Sequence, residues 1–253
     1  MKKKNNSLVA VCARSVSKNN SALELLKKNF HNIRLNKSNK ILQGPQLFNF
    51  LKDAKAAIIG LENIDGKLLS KCKKLEVIGK YGVGTNNIDF RELKKSKVKI
   101  LLQPGINKRA VSELTLSFMI QGLRDLNEQI QDVKNRKWPF KFGRLLSHKT
   151  VGIIGFGNTG SDVYDLLKPF GCKIIASDIS KNKFFLKRKI KNSSLKKLLN
   201  YSDIITIHIP LDKKNFNFFS KKEFNTVKKN LILINTSRGG IVDEESLYNF
   251  LVK

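Results

Sequence analysis

The sequence predicts an α/β fold in two parts, and three observations carry that expectation. A glycine-rich turn lies between two apolar runs within residues 151–178, apolar runs alternate with helical patterns through the first hundred residues, and Pro104-Gly105 interrupts the rhythm between these regions. At 253 residues the chain exceeds one average domain and is short for two large ones. A hydrophobic content of 41% is enough for packed cores.

The first part is expected to span residues 1–104. Apolar runs at 8–13, 56–59, 75–78 and 98–102 read as buried parallel strands, and amphipathic stretches near 21–29, 45–52 and 88–95 read as helices. Their alternation suggests a small parallel sheet covered by helices. The second part, 105–253, opens with an amphipathic run over 109–136 that reads as one long connecting helix, ended by Trp138-Pro139. Strands are expected near 151–154, 173–176, 203–208 and 231–235, with helical pieces near 195–200 and 220–228. No internal repeat or low-complexity segment is evident.

Gly155-Phe156-Gly157-Asn158-Thr159-Gly160 joins the strand at 151–154 to a helical stretch. In a dinucleotide-binding βαβ unit the first glycine permits a sharp turn, the second lets backbone N–H groups approach a pyrophosphate, and the third lets the helix pack closely on the strand. Such glycine patterns also occur in ordinary tight turns; the strands on both sides are what give this one meaning. Asp178 stands eighteen residues after Gly160, where a carboxylate accepts hydrogen bonds from the adenosine ribose and repels the extra phosphate of NADP. NAD is therefore the expected cofactor.

The net charge of +29 raises nucleic-acid binding, but its distribution argues against that partner. Lysines are spread along the whole chain, arginines are few, and no basic-aromatic stripe appears. A solvated basic surface explains the excess, and its field would speed encounter with an anionic cofactor and substrate. Cys12, Cys72 and Cys172 form no C-x-x-C pair and no histidine cluster completes a metal site, so they read as buried, reduced thiols of a cytoplasmic protein. The apolar run after the basic start is broken by Arg14, too short for a signal-peptide core, and no segment approaches a membrane span.

A third motif is Asn235-Thr236-Ser237-Arg238-Gly239-Gly240-Ile241-Val242-Asp243. With the 155–178 unit and Tyr81-Gly82-Val83-Gly84-Thr85-Asn86-Asn87-Ile88-Asp89, it resembles the D-isomer-specific 2-hydroxyacid dehydrogenases, phosphoglycerate dehydrogenase-like, over the whole chain. The resemblance implies a flavodoxin-like substrate domain, a Rossmann NAD-binding domain and a cleft between them. It also implies a homodimer built through the connecting helix and the nucleotide domain, and a small 2-hydroxy or 2-oxo acid as substrate.

That chemistry suits an arginine at a strand end, because a planar guanidinium holds carboxylate and carbonyl oxygens in a fixed orientation. Arg238 resembles the family arginine, the alternative being a surface ion pair. The resemblance assigns the substrate carboxylate to Tyr81, Gly82, Val83 and Gly84, with Lys80 as a second positive contact or an ordinary surface lysine. It assigns the cofactor to Gly155, Phe156, Gly157, Asn158, Thr159, Gly160, Asp178, His208, Pro210, Thr236, Ser237 and Arg238. His208 reads as a pocket wall and Asp243 as ordering the loop after the arginine. Ser112-Glu113 matches a family helix motif or is an ordinary cap. Glu62 and Asp65 follow the 56–59 strand, where relatives that bind phosphoglycerate carry arginines; they would repel a phosphate, which favours a sugar acid or another hydroxylated 2-oxo acid.

The family's proton-transfer pair, a histidine held by a glutamate, is expected beyond the arginine signature, whereas the sequence closes at Lys253. His31, His148 and His208 have no such context, and Glu244 and Glu245 stand too near Arg238. The expectation is a C-terminally truncated or incomplete gene product with an incomplete nucleotide sheet. Two functions are compatible with this reading: an NAD-dependent dehydrogenase acting on CH–OH groups, or a corepressor-like NAD-binding module without turnover.

Overall fold

In a computed structural model, which describes residues 4–252, the chain divides into two compact units, Met1–Ile106 and Asn107–Lys253. In the first, strands β1 (Val9–Val11), β2 (Ile33–Leu35), β3 (Ala56–Ile59), β4 (Val77–Lys80) and β5 (Lys99–Leu101) form one parallel sheet in the order β2-β1-β3-β4-β5. This is the flavodoxin-like order, with its switch point between β1 and β3. Helices α1 (Arg14–Ser17), α2 (Asn20–Asn29), α3 (Gly44–Leu51), α4 (Gly66–Lys71) and α5 (Phe90–Lys95) connect the strands. The strands alternate their apolar residues between two cores. Ala10, Cys12, Ala57, Ile59 and Ile78 face a core shared with Leu47, Leu51 and Leu93, while Val9, Val11 and Ala56 face one that packs against Ala22 and Leu26 of α2.

The second unit begins with α6 (Lys108–Arg124) and α7 (Leu126–Lys134). Here the structure corrects the single helix expected over 109–136. Asp125 adopts a left-handed conformation (φ 50°, ψ 40°) and closes α6 with its N–H on the Gln121 carbonyl. Aspartate tolerates this region better than most residues, and amphipathic spacing alone does not reveal the break. The sheet is built from β6 (Thr150–Ile154), β7 (Lys173–Ser177), β8 (Ile204–Ile207) and β9 (Ile232–Asn235), all parallel, in the order β7-β6-β8-β9. Helices α8 (Asn158–Leu167), α9 (Lys183–Arg188), α10 (Leu195–Tyr201), α11 (Lys221–Phe224) and α12 (Glu244–Leu251) complete the unit. One face of the sheet buries Val151, Ile153, Ile204 and Ile234 against Met119, Leu123, Val163 and Leu167; the other buries Ile154, Ile205 and Ile207 against Leu198, Leu199 and Phe224. This is a Rossmann-type unit. Among the described residues no helix is long and apolar enough to cross a membrane.

Asp203 ties the N-terminal edge of this sheet. Its Oδ2 accepts the Thr150 N–H at 2.8 Å, its Oδ1 accepts from Lys228 Nζ at 2.8 Å, and its carbonyl accepts the Ile232 N–H at 3.0 Å. One residue thus links the starts of β6, β8 and β9. Burial pushes its carboxyl pKa upward, but the Lys228 ammonium and the Thr150 amide outweigh burial and hold it below the usual value. We expect Asp203→Ala to lower unfolding free energy by about 1–2 kcal/mol at neutral pH. The folded-state pKa is depressed, so this contribution is present above the ordinary carboxylate pKa and fades as pH falls below about 4. Urea melts of both proteins at pH 7 and pH 3.5 check the sign, since the gap should narrow in acid.

Candidate functional site

Because the four strands of the second unit are parallel, their C-terminal ends share one edge, with the switch point between β6 and β8. Along that edge the structure brings together Asp178 after β7, the glycine turn after β6, His208 and Pro210 after β8, and Thr236-Ser237-Arg238 after β9.

At the glycine turn Gly155 has φ +87°, and a side chain there would lie 2.7 Å from the His208 carbonyl oxygen. A Cβ on Gly160 would collide with the Gly155 carbonyl, so only glycine lets α8 start this close to β6. The space beyond Gly157, by contrast, is open. Gly157 is the N-cap of α8 and no side chain caps its first turn, so the leading amides and the positive end of the helix dipole face that space. These features fit a dinucleotide pyrophosphate.

Asp178 is locked in place. Its Oδ2 accepts the Phe156 N–H at 2.7 Å, and its backbone is bracketed by Asn192, whose Oδ1 accepts the Asp178 N–H and whose Nδ2 donates to the Asp178 carbonyl, each at 3.0 Å. Oδ1 of Asp178 takes no donor from the described residues. That oxygen suits a ribose hydroxyl, and the carboxylate disfavours a 2′-phosphate.

His208 hands its backbone N–H to the Ile154 carbonyl at 2.7 Å, and its Nε2 lies 2.9 Å from the Thr206 hydroxyl. Burial lowers its pKa to about 4. None of the hydrogen bonds of His208 is to a carboxylate. Pro210 is exposed and its carbonyl accepts from Asn215 Nδ2 at 2.9 Å.

Past β9, Asn235 shapes the loop. Its Oδ1 accepts from the Ser237 N–H (3.1 Å) and hydroxyl (2.6 Å), and its Nδ2 donates to the Arg238 carbonyl at 2.8 Å. The Thr236 hydroxyl meets that of Thr115 on α6 at 3.0 Å. Arg238 is exposed; its Nη1 donates to the Ser237 carbonyl at 2.7 Å, and it pairs with no carboxylate among the described residues. The surface-ion-pair alternative therefore has no partner here. Asp243 caps α12 through the Ser246 N–H at 3.1 Å and accepts from Asn217 Nδ2 at 3.1 Å.

In the first unit, the turn after β4 is held by the Tyr81 N–H on the Ile59 carbonyl (2.8 Å) and by Lys80 Nζ donating to the Gly60 carbonyl. The space beyond Gly82 is open, and Tyr81, Gly82, Gly60 and the buried Glu62 line a cavity of about 700 Å³ with Arg14 and Lys18. Glu62 Oε2 accepts the Gly60 N–H at 2.6 Å. Ser112 is buried and donates to the Lys108 carbonyl at 2.8 Å. Cys12, Cys72 and Cys172 are free thiols, and burial, with Glu62 nearby, pushes the Cys12 thiol up. Sequence reasoning missed the Asn192 bracket and an ion pair of Asp162 with Arg109 at 3.1 Å, because the partners of these contacts lie 14 and 53 residues apart and leave no local pattern.

The family model of the D-isomer specific 2-hydroxyacid dehydrogenase NAD-binding domain matches residues 116–253. The chain is similar to a hydroxypyruvate reductase of Thermotoga maritima, 31% identical over 214 residues, covering 83% of this chain and 69% of that protein. It is similar to a D-3-phosphoglycerate dehydrogenase of Methanocaldococcus jannaschii, 30% identical over 216 residues, covering 81% of this chain and only 40% of the relative. Among solved structures, D-lactate dehydrogenase from Aquifex aeolicus complexed with NAD and lactic acid superposes with a TM-score of 0.84 at 25% identity, covering 97% of this chain and 73% of that one.

For His208 we expect the imidazole NMR signals to titrate with a midpoint near pH 4 rather than the ordinary 6.5. Between those values the unfolded chain binds the proton and the native one does not, so the His208 contribution to stability falls as pH drops through this window. A midpoint above 6 would contradict the burial.

Proposed function

Since the chain belongs to the D-isomer-specific 2-hydroxyacid dehydrogenases, we propose that it is an NAD-dependent oxidoreductase interconverting a D-2-hydroxy acid and its 2-oxo acid. The observation that carries the reading is Arg238, held by Asn235 on the same sheet edge as the glycine turn and Asp178. When bound, the nicotinamide cofactor would supply the hydride acceptor (NAD+) or donor (NADH) for substrate C2. The amides at the start of α8 receive the pyrophosphate and Asp178 the adenosine ribose, with Phe156, His208, Pro210, Thr236 and Ser237 around the dinucleotide. Arg238 orients the substrate carboxylate and carbonyl. The turn formed by Lys80, Tyr81, Gly82, Val83 and Gly84 takes the carboxylate, so residues 1–104 act as the substrate domain and 105–253 as the NAD domain. The buried carboxylate of Glu62 beside that turn favours an unphosphorylated, hydroxylated 2-oxo acid. The free thiols support a cytoplasmic setting.

NADH binding and turnover with a panel of 2-oxo acids test this reading. Arg238→Gln should lower kcat/KM by about two to three powers of ten, the worth of a lost bidentate charged contact. NADH binding without turnover on any 2-oxo acid would instead favour the NAD-binding module.

We also propose a homodimer through the second unit. Trp138, Phe140 and Phe142 are 88%, 83% and 87% exposed, and Ile130 and Val133 of α7 are exposed beside them in sequence. Rings this bare support an association surface there. Sedimentation equilibrium should give a dimer, and Trp138→Glu with Phe142→Glu should shift it toward monomer; a wild-type monomer at micromolar concentration would refute the interface.

A further inference from the structure

We propose that Asp162 is a positioning residue of the dinucleotide site: it holds the basic start of α6 against the end of α8 that receives the phosphates. The inference rests on the NAD reading and concerns a carboxylate which that reading does not use.

α6 opens with Lys108-Arg109, its N-cap Asn107 makes no side-chain cap bond, and no acidic residue stands in its first turn. Two cations at a helix N-terminus oppose the helix dipole. Their compensation comes from α8. Asp162 Oδ1 lies 3.1 Å from Arg109 Nη2 and 3.8 Å from Lys108 Nζ, with the Asp162 side chain only 3% exposed. Its other oxygen, Oδ2, is buried and has no hydrogen-bond partner among the described residues.

A half-satisfied buried carboxylate is a poor device for stability alone, since an apolar side chain of similar size serves as well. What it supplies is a directional tie. The Ser112 hydroxyl, also buried, gives its one proton to the Lys108 carbonyl at 2.8 Å and only rests against the Thr159 carbonyl at 3.5 Å, so the Asp162 pair is the directional contact here. Thr159 belongs to the glycine turn, and Asp162 comes three residues later on the same face of α8. The Asp162 pair therefore holds the first turns of α8, whose uncapped amides are the candidate phosphate receivers.

Charge and position make opposite demands. If Asp162 acted only through its field, removing its negative charge near an anion site would tighten NADH binding. If it positions α8, removal weakens binding. If it served folding alone, the melting temperature would drop while affinity stayed constant.

The experiment is NADH titration by fluorescence, with melting curves, on the wild-type chain, Asp162→Asn, Arg109→Lys and Arg109→Gln. We expect Asp162→Asn to raise the NADH dissociation constant about fivefold or more while retaining a cooperative melt. Arg109→Lys keeps the charge but loses the fork, and should weaken binding less than Arg109→Gln. An unchanged or lower dissociation constant in Asp162→Asn overturns the proposal. Should that variant fail to fold, Arg109→Lys and Arg109→Gln decide it: affinity unchanged in both overturns it, and graded weakening supports it. A wild-type chain that binds no NADH sinks the dinucleotide reading and this proposal with it; wild-type binding that the variants leave untouched overturns only the role of Asp162.

Discussion

At Gly155 and Gly160 the passage from β6 into α8 leaves no room for a side chain. A Cβ at Gly155 would press on the His208 carbonyl and one at Gly160 on the carbonyl of Gly155 itself, so strand, helix and the segment after β8 close around bare backbone. Much of the nucleotide edge is a consequence. The turn presents the Phe156 N–H to Asp178, which sets the carboxylate at the end of β7; it also directs the free amides of α8 toward open space. A single methyl group at Gly155 or Gly160 would separate elements that the proposed cofactor needs together.

Rigid support recurs at each member of the edge. Asn192 brackets the Asp178 backbone, Asn235 holds the Ser237-Arg238 loop, and Asp243 and Asn217 secure the start of α12 beyond it. Neutral amides supply much of this support, while Asp178 and Arg238 pair with no oppositely charged side chain among the described residues. His208 fits the same division: burial lowers its pKa to about 4, and its Nε2 meets the neutral Thr206 hydroxyl.

The excess of basic residues has little to do with this architecture. Ion pairs such as Lys55 with Glu76 and Lys95 with Glu92 sit on the surface, where they contribute little stability. Two carboxylates drawn further inward, Asp203 and Asp162, pair with Lys228 and Arg109. A cationic surface remains, suited to the encounter of anionic ligands.

The sequence by itself determined what local sterics and periodicity enforce. Apolar runs located β3, β6, β7, β8 and β9 to within a residue or two, because a strand buried on both faces admits little else, and the glycine spacing located the turn because only glycine fits it. Tertiary structure decided the rest. The edge strand β2 is half-buried and three residues long, too short to show a period. The break at Asp125 lies inside an unbroken amphipathic run, and its left-handed geometry depends on how the chain returns, with the Arg144 N–H on the Leu123 carbonyl. The pairing of Asp162 with Arg109 and of Asp203 with Thr150 joins residues 53 positions apart, so no pattern along the chain encodes either. Those contacts exist only once two elements have packed, and packing in three dimensions is what a linear spacing does not record.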